Sequence, residues 1–397
     1  MVRRAAFMGK VVLADRVLEE SAVVVEGERI VGIFPSAGEQ AREGAEVVDY
    51  SDYYIAPGLI DLHLHGAMGW DVMDGSVAGF REIAAYQARN GVTGFVATTL
   101  AAPLTQIRDA VTDVKAALAE PLPSEILGLY LEGPFLSFEK KGAQNPEFIR
   151  PLDPEALGVI LKLCGGLKTI ITIAPEIGDN LNFIPGLRDN GLIVSIGHSA
   201  AACELAMTSF ERGITHATHL YNAMSGFLPR EPGVIGAVLD SGGVTAEVIA
   251  DGIHVHPAAL RLALRQKGID GICLITDSLN AAGLGEGEYR VGGLDVVVRN
   301  GQARLEESGA LAGSILTLNQ AVKNMINWTG ASVPEAVRLA SLNPARVLGL
   351  DSRVGSIEKG KLANLAVFDR DFNVVTTILR GRDSRDRLEF LLQGRPE

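Results

Sequence analysis

Two histidines stand one residue apart in the stretch DLHLHG, and this spacing suits a shared metal ion. His63 and His65 follow the apolar run YIAPGLI, in a chain of 397 residues with only seven histidines. Side chains two positions apart in a β-strand point to the same side, so both imidazoles could bind one ion. We interpret Gly66 as leaving space where a side chain would crowd that ion. An HxH pair alone is more often structural, so it needs further support.

More residues that bind metals or protons follow predicted strands farther along the chain. They are Glu132, His198, His219, His254 and Asp277. Imidazole and carboxylate groups together suit Zn²⁺ or Fe²⁺. Four of the histidines with two carboxylates are too many for one tetrahedral ion, so we expect two divalent ions that share Glu132. His216 lies three residues before His219, and we interpret it as a structural histidine.

An alternation of strands and helices would bring these residues together. Eight short apolar segments alternate with segments of helical periodicity, in 54–65, 91–99, 126–133, 168–176, 191–199, 215–220, 246–254 and 271–278. This pattern predicts an α/β fold, and eight units fit a closed (β/α)₈ barrel of the TIM type; an open, doubly wound sheet is the alternative. In a barrel, the C-terminal ends of the strands meet at one rim, where active sites form.

Both ends of the chain have the pattern of β-structure. SAVVVEGERIVGIF predicts a hairpin near the N-terminus, and ANLAVFD and VVTTILRG predict strands near the C-terminus. We therefore predict a small β-sandwich domain formed by residues 1–57 and 362–397, around a catalytic barrel of residues 58–361. Within the barrel segment, LDVVVRNGQARLEE predicts a hairpin that turns on Asn300-Gly301, and Ser332 with Glu335 predicts a helix capping box.

The composition argues against several classes of function. A net charge of −12 argues against a general nucleic-acid or anionic-membrane surface. We find no run of about 18 uncharged apolar residues, the length that a membrane span needs. Cys164, Cys203 and Cys273 form no CxxC pair, so we expect reduced thiols in a cytoplasmic protein. Because the net charge is negative, an anionic substrate would need a local cation in its binding site.

Longer stretches resemble the N-acetylglucosamine-6-phosphate deacetylases of the amidohydrolase superfamily, over nearly the whole chain. The most specific are LEGPF, HLYNAM, REPG and DGIHVHP. The resemblance implies a metal-bearing barrel with a small β-sandwich, and hydrolysis of the N-acetyl group to glucosamine-6-phosphate and acetate by metal-bound hydroxide. It implies that Asp277 is the general base and acid, and also a ligand in members with two metals. The implied metal ligands are Glu132, His198 and His219 for one ion and His63 and His65 for the second.

The resemblance also implies contacts to the amino-sugar phosphate. Arg230 would reach across from the neighbouring subunit of a homodimer. The other implied contacts are Ala143, Asn222, Ala223, His254, Leu311, Ala312 and Gly313. The chain has Gln144 where the family usually has a His thought to polarise the substrate carbonyl. We expect Gln144 to face the substrate as a weaker donor; the alternative is a loop residue without a part in the chemistry.

Rival functions stay open on the sequence. The stretch TDSLNAAG departs from the commoner TDAM pattern, so the substrate could instead be N-acetylgalactosamine-6-phosphate. A cyclic amidohydrolase such as a dihydroorotase or hydantoinase usually has a carbamylated Lys where this chain has Glu132. An aminohydrolase acting on a nucleobase is a further alternative. A non-catalytic scaffold on the same barrel should have lost ligands, and all six candidates are present.

Overall fold

A barrel of eight parallel strands forms the centre of the computed structural model, which describes residues 3–35 and 38–385. In order around the barrel the strands are Leu59–Leu64, Val92–Thr99, Glu125–Leu131, Thr169–Ile173, Ile193–Ile196, Ile214–Ala217, Thr245–Ile249 and Ile272–Ile275. The first and last strands meet through a parallel bridge between Leu64 and Ser278. The main-chain N–H of Asp277 also donates to the carbonyl of His63 at 2.9 Å. The predicted barrel is confirmed, and the open sheet is not.

Helices between the strands cover the outside of the barrel. They are Val77–Arg89, Leu104–Ala117, Pro154–Cys164, Asn180–Asp189, Cys203–Arg212, Gly233–Asp240 and Pro257–Lys267, followed after the last strand by Leu318–Thr329, Val333–Leu339 and Leu342–Val347. Short 3₁₀ turns lie at Val72–Asp74, Pro146–Phe148 and Ile269–Gly271. Ser332 and Glu335 form the predicted reciprocal capping box, which satisfies main-chain N–H groups at the helix start.

The interior of the barrel is polar just below its C-terminal rim. The hydroxyl of Thr218 lies 2.7 Å from the Tyr130 hydroxyl, 2.7 Å from that of Ser195 and 3.0 Å from that of Thr172. All four side chains are buried, so each polar group depends on the others for its hydrogen bonds. The Tyr130 ring packs against His63, with ring centroids 4.7 Å apart. This layer forms the floor of the rim.

Strands from both ends of the chain form a separate β-domain, as predicted, and they pair into one seven-stranded sheet. Its order is Arg382–Asp383, Val374–Leu379, Leu365–Phe368, Glu46–Pro57, Arg4–Val12, Val17–Glu26 and Arg29–Phe34. Ala5 and Phe7 belong to one apolar cluster, whereas Ala6 and Met8 belong to another that includes Ala41 of the short helix Glu39–Arg42. The strand Arg4–Val12 therefore buries side chains on both of its faces. The domain boundaries at 57/58 and 361/362 stay a prediction.

A small three-stranded sheet lies beside the rim. Its strands are Gly287–Val291, Leu294–Arg299 and Gln302–Leu305, and a two-stranded pair joins Gly66–Ala67 to Trp70–Asp71. Asn300 and Gly301 form the predicted turn with φ angles of 51° and 73°, the left-handed values that a tight hairpin requires. Val291 and Val296 pack with Leu279 in one apolar cluster. Within the described residues, we find no helix with the length and apolar character that a membrane span needs.

Candidate metal centre and substrate cavity

Six buried side chains of ligand type meet at the rim in two groups of three. The groups are His63, His65, Asp277 and Glu132, His198, His219. Within each group the ligand atoms lie within 4.8 Å of one another. The first group joins the ends of the first and last strands, and the second joins the third, fifth and sixth. The structure thus brings together all six residues that the resemblance implied as metal ligands.

The spacing of the ring nitrogens fits shared metal ions. The Nε2 atoms of His63 and His65 lie 3.4 Å apart, and those of His198 and His219 lie 3.0 Å apart. Two nitrogens bound to one tetrahedral ion at about 2.0–2.1 Å lie roughly 3.4 Å from each other. Each pair faces nitrogen to nitrogen, so a cation between them satisfies both lone pairs. The donor set and its geometry therefore fit a divalent metal.

Contacts on the far side of each ring orient these histidines. Nδ1 of His65 lies 3.3 Å from the carbonyl oxygen of Thr98, and Nδ1 of His198 lies 2.8 Å from that of Lys140. A carbonyl accepts a hydrogen bond but cannot donate one, so Nδ1 carries the proton in both rings. Nε2 is then the nitrogen that faces the centre and can bind a metal, as in most histidines that bind metals.

Glu132 lies between the two groups. Its Oε1 is 2.9 Å from Nε2 of His219 and 3.2 Å from Nε2 of His198, while its Oε2 is 3.2 Å from Nε2 of His65. Burial raises the pKa of Glu132, but the charge of His63 and the hydrogen bonds from His198 and His219 outweigh burial and hold that pKa well below its usual range. Oε1 also lies 3.4 Å from Nε2 of His63, so the ionised carboxylate contacts both groups.

Asp277 belongs to the first group and also borders the cavity. Its Oδ1 lies 3.2 Å from Nε2 of His65 and 3.6 Å from Nε2 of His63. Burial raises the pKa of Asp277, but the hydrogen bond from His65 and the charges of both histidines prevail and lower the pKa. The side chain is therefore a carboxylate, the form that accepts a proton.

The backbone is strained at three of the ligands. His198, His219 and Asp277 have φ angles of 46°, 29° and 52°, in the left-handed region that side chains other than glycine rarely adopt. Such strain persists only where the surroundings enforce it, and it concentrates at functional sites. At Asp277, the carbonyl accepts from the N–H of Ser314 at 2.7 Å. The sharp turns aim these side chains from the strand ends into the rim.

A cavity of about 250 Å³ opens above the two groups. It is bordered by His65, Glu132, His198, His219 and Asp277, whereas His63 is fully buried beneath it. Eight of the residues that the sequence assigned to the substrate also line it: Ala143, Gln144, Asn222, Ala223, His254, Leu311, Ala312 and Gly313. The assigned residues therefore share one cavity, with Arg230 as the exception.

Arg230 is exposed on the loop that follows the sixth strand and does not line the cavity of its own chain. Two large apolar side chains precede it on the same loop: Phe227 is 60% exposed and Leu228 is 57% exposed. None of the described residues that line the cavity is a lysine or an arginine. The described part of one chain therefore places no permanent cation in the lining of this cavity.

His254 is oriented by a carboxylate. Its Nδ1 lies 2.7 Å from Oδ2 of Asp251, and Oδ1 of Asp251 accepts from the main-chain N–H groups of Ile253 and His254 at 2.8 Å each. These contacts hold the loop and the ring together, so that the other ring nitrogen is not needed for the internal hydrogen bonds. His254 lines the cavity without belonging to either group of ligands.

Two expectations differ from the structure in detail. Gln144 lines the cavity, but its Nε2 donates to Oε2 of Glu132 at 2.6 Å and its Oε1 accepts from the N–H of Ala101 at 2.7 Å. Both ends of the amide are thus engaged within the protein rather than directed at a substrate. A Cβ at Gly66 would clash with the carbonyl oxygen of Trp70, so close packing of the two-stranded pair, rather than space for an ion, requires glycine there.

Sequence reasoning missed one buried carboxylate at the centre. Glu247 lies within the seventh strand, is 0% exposed, and its Oε2 is 3.0 Å from Nδ1 of His63. The signal for it was a charged residue inside the otherwise apolar segment AEVIA. His216, interpreted as structural, contacts the same carboxylate, with its Nε2 3.0 Å from Oε1.

Comparisons with known proteins agree with this architecture. The model of the Amidohydrolase family matches residues 54–383. The N-acetylglucosamine-6-phosphate deacetylase of Bacillus subtilis is 39% identical over 379 residues, covering 92% of this chain and 96% of that protein. The N-acetylgalactosamine-6-phosphate deacetylase of Escherichia coli O157:H7 is 37% identical over 329 residues, covering 83% of this chain and 87% of that protein.

A solved structure extends the similarity to three dimensions. The N-acetyl-D-glucosamine-6-phosphate deacetylase of Mycobacterium smegmatis, a mutant in complex with N-acetyl-D-glucosamine-6-phosphate, is 30% identical and superimposes with a TM-score of 0.90. The match covers 96% of this chain and 99% of that one. The chain therefore belongs to the amidohydrolase family and, within it, to the group of the N-acetylglucosamine-6-phosphate deacetylases.

Proposed function

We propose that this protein hydrolyses the N-acetyl group of N-acetylglucosamine-6-phosphate to give glucosamine-6-phosphate and acetate. The observation that carries the proposal is the position of Asp277. Its carboxylate contacts His65 of the first group at 3.2 Å and borders the cavity that the assigned substrate residues line. A proton-transfer group and a candidate metal centre therefore face the same space. The similarity to the deacetylases supports the choice of an acetylated sugar phosphate.

The proposed cofactor is a pair of divalent ions, Zn²⁺ or Fe²⁺, that share Glu132. Support comes from the two groups of three ligands and from the contacts of Glu132 with both of them. Bound metal would polarise the substrate carbonyl and lower the pKa of water. His63, His65 and Asp277 would hold one ion, and His198 and His219 the other, with Glu132 between them.

Asp277 would carry the proton during the reaction. An amide is broken when water adds to its carbonyl and the nitrogen then leaves with a proton. A carboxylate beside both atoms can accept the proton of the attacking water and pass it to the departing nitrogen. Burial raises the pKa of Asp277, but His65 and His63 lower it by more, so the group is a carboxylate before the reaction begins. Asn222 and His254 would hold the sugar on the cavity wall.

Arg230 of a partner subunit would bind the phosphate in a homodimer. The cavity of one chain offers no lysine or arginine among its described lining residues, and the whole chain carries a net charge of −12. A dianionic substrate therefore needs a cation from elsewhere. Arg230 lies on an exposed loop beside Phe227 and Leu228, the kind of apolar side chains that anchor protein interfaces. Its planar guanidinium suits a phosphate.

The cysteines support a place of action in the cytoplasm. Within the described structure, Cys164, Cys203 and Cys273 are free thiols. Burial raises the pKa of Cys164 to about 11, so this thiol is protonated and unreactive at neutral pH. Free thiols are typical of a reducing compartment.

The N-acetylgalactosamine-6-phosphate reaction is the second candidate, because a relative with that name is 37% identical. A panel of substrates separates the candidates: the 6-phosphates of N-acetylglucosamine and N-acetylgalactosamine, dihydroorotate and hydantoin, each incubated with metal-loaded protein. We expect acetate and primary amine in equal amounts from the first, with a kcat/KM above that for the second. Ring opening of the cyclic amides without acetate release from either sugar would contradict the proposal.

A further inference from the structure

A buried carboxylate links the two groups of ligands from below. Oε2 of Glu247 lies 3.0 Å from Nδ1 of His63 and accepts from the main-chain N–H of His219 at 3.1 Å. His63 belongs to one group and His219 to the other. The side chain of Glu247 is 0% exposed and lies outside both groups. It is thus one contact away from the ligand atoms on each side.

The second oxygen of Glu247 is held by His216. Nε2 of His216 lies 3.0 Å from Oε1 of Glu247, and Nδ1 of His216 lies 2.6 Å from the hydroxyl of Thr245. A buried carboxylate is costly unless its oxygens are hydrogen-bonded and its charge is balanced. His216 meets this need and fixes the direction in which Glu247 presents Oε2. The histidine interpreted as structural therefore has a defined place in the centre.

His63 differs from the other oriented ligands in the group that holds its far nitrogen. His65 and His198 contact main-chain carbonyls, which no side-chain substitution removes. His63 contacts the side chain of Glu247. A carboxylate on the far nitrogen of a metal-binding imidazole fixes its tautomer and raises its basicity toward the metal. The ion held by His63, His65 and Asp277 thus depends on one further side chain.

We infer that Glu247, anchored by His216, is a positioning residue that sets the affinity of the ion bound by His63, His65 and Asp277. The inference rests on the proposed metal centre. Without Glu247, the His63 ring is free to rotate or to carry its proton on Nε2, which would block the lone pair that faces the centre. The same loss would release only a main-chain contact of His219, whose ring would keep its contact with Glu132.

Metal content and affinity measured by chelator competition test the inference directly. Glu247→Ala should lower the affinity for one of the two ions by about 10–100-fold, the usual effect of losing such a partner. The affinity for the other ion should stay within a few-fold of the parent's. Glu247→Gln should keep most of the affinity, because its amide oxygen still accepts from His63 and His219 while its NH₂ group faces Nε2 of His216. Rescue by Gln separates positioning from a general loss of packing.

Two further variants keep the test decisive. If Glu247→Ala does not fold, Glu247→Asp replaces it, since the shorter carboxylate cannot reach His63 and should show the same loss. Asn343→Ala is the matched control: Asn343 is buried and donates to the carbonyls of Ile269 and Ile272. It should lower the melting temperature and leave metal affinity unchanged.

The possible outcomes separate this inference from the proposed function. A parent protein that binds no divalent metal would remove the proposed centre itself. A parent that binds two ions, with Glu247→Ala or Glu247→Asp binding both at the parent's affinity, would overturn the role of Glu247 alone. An equal loss of affinity in Glu247→Gln and Glu247→Ala would also overturn it, because the Gln variant retains the hydrogen bond to His63.

Discussion

The side-chain amide of Gln144 donates to Oε2 of Glu132 at 2.6 Å, the same oxygen that lies 3.2 Å from Nε2 of His65. Its own oxygen accepts from the N–H of Ala101 at 2.7 Å, so the amide has one fixed orientation. Gln144 therefore holds the carboxylate that lies between the two groups of ligands.

Gln144→Ala should therefore lower activity through Glu132 rather than through substrate binding. We expect kcat to fall by about 10–100-fold, the scale seen when partners of metal ligands are removed, with KM changed much less. Gln144→Glu keeps the shape but places a second carboxylate against Glu132, so it should be at least as damaging. Steady-state kinetics with matched metal loading checks this. A Gln144→Ala variant with the parent's kcat would leave Gln144 without a part in the centre.

The two groups of ligands predict two ions per chain. Elemental analysis of protein expressed with added Zn²⁺ or Fe²⁺ should give close to two equivalents. The double variant His63→Asn, His65→Asn should retain close to one, because Glu132, His198 and His219 are intact. His256, which is exposed and caps a helix outside both groups, provides the control variant His256→Asn. One equivalent in the parent, unchanged in the double variant, would contradict the second site.

Metal binding should release protons at neutral pH. Burial lowers the pKa of His65 in the metal-free protein, but hydrogen bonds and charges of Asp277 and Glu132 outweigh burial and raise the pKa to about 9. The ring is then protonated at pH 7, and a metal must displace that proton. Affinity should therefore rise with pH as this ring loses its proton, through about pH 9.

Calorimetric titrations with metal in two buffers of different ionisation enthalpy measure this release. At pH 7 the observed heat should depend on the buffer and correspond to at least one proton per chain. At a pH above the raised pKa of His65 the dependence should shrink. Heats that do not change with the buffer at pH 7 would show that His65 is already neutral.

Arg230 should select for the phosphate from the partner subunit. Arg230→Ala should weaken binding of the phosphorylated substrate by about 1.5–3 kcal/mol, the range for hydrogen bonds to charged groups. It should barely change activity on N-acetylglucosamine. Arg29, which is exposed on the terminal sheet and donates to the carbonyl of Gly360, provides the control Arg29→Ala. Equal losses on both sugars would remove the phosphate assignment.

A mixed dimer tests whether the site is shared. One chain carries Arg230→Ala and the other carries Asp277→Asn, each with its own affinity tag. If the site combines Asp277 of one chain with Arg230 of the partner, one of its two sites is intact, and about half the parent's activity per dimer should return. A purified mixed dimer as inactive as the single variants would exclude sharing.

The sequence was sufficient for the positions of the ligands but not for their supporting contacts. The alternation of strands and helices places Glu132, His198 and His219 at strand ends, and barrel closure then brings them together. Which atom of Gln144 or Glu247 faces which neighbour depends on rotamers and on competition for hydrogen bonds inside the barrel. Such side-chain contacts leave no periodic pattern in the sequence from which they could be predicted. For the same reason, the clash that requires glycine at Gly66 became visible only with Trp70 in place.

The same limit applies to Arg230. Its family pattern suggests a phosphate contact, yet within one chain the residue is exposed and is not among the residues that line the cavity. Assembly of two chains depends on which side chains are exposed. The sequence places Phe227 and Leu228 next to Arg230, but their exposure is known only from the fold.

Acetate release from N-acetylglucosamine-6-phosphate is the direct test of the proposed deacetylation, when metal-loaded parent protein is compared with Asp277→Asn at equal metal content. The parent should release acetate and amine in equal amounts over many turnovers. Asn has nearly the shape of Asp but cannot carry a proton, so the variant should bind the substrate and lose at least about 10²-fold in kcat. No acetate from the parent, or a near-normal kcat in Asp277→Asn, would contradict the account.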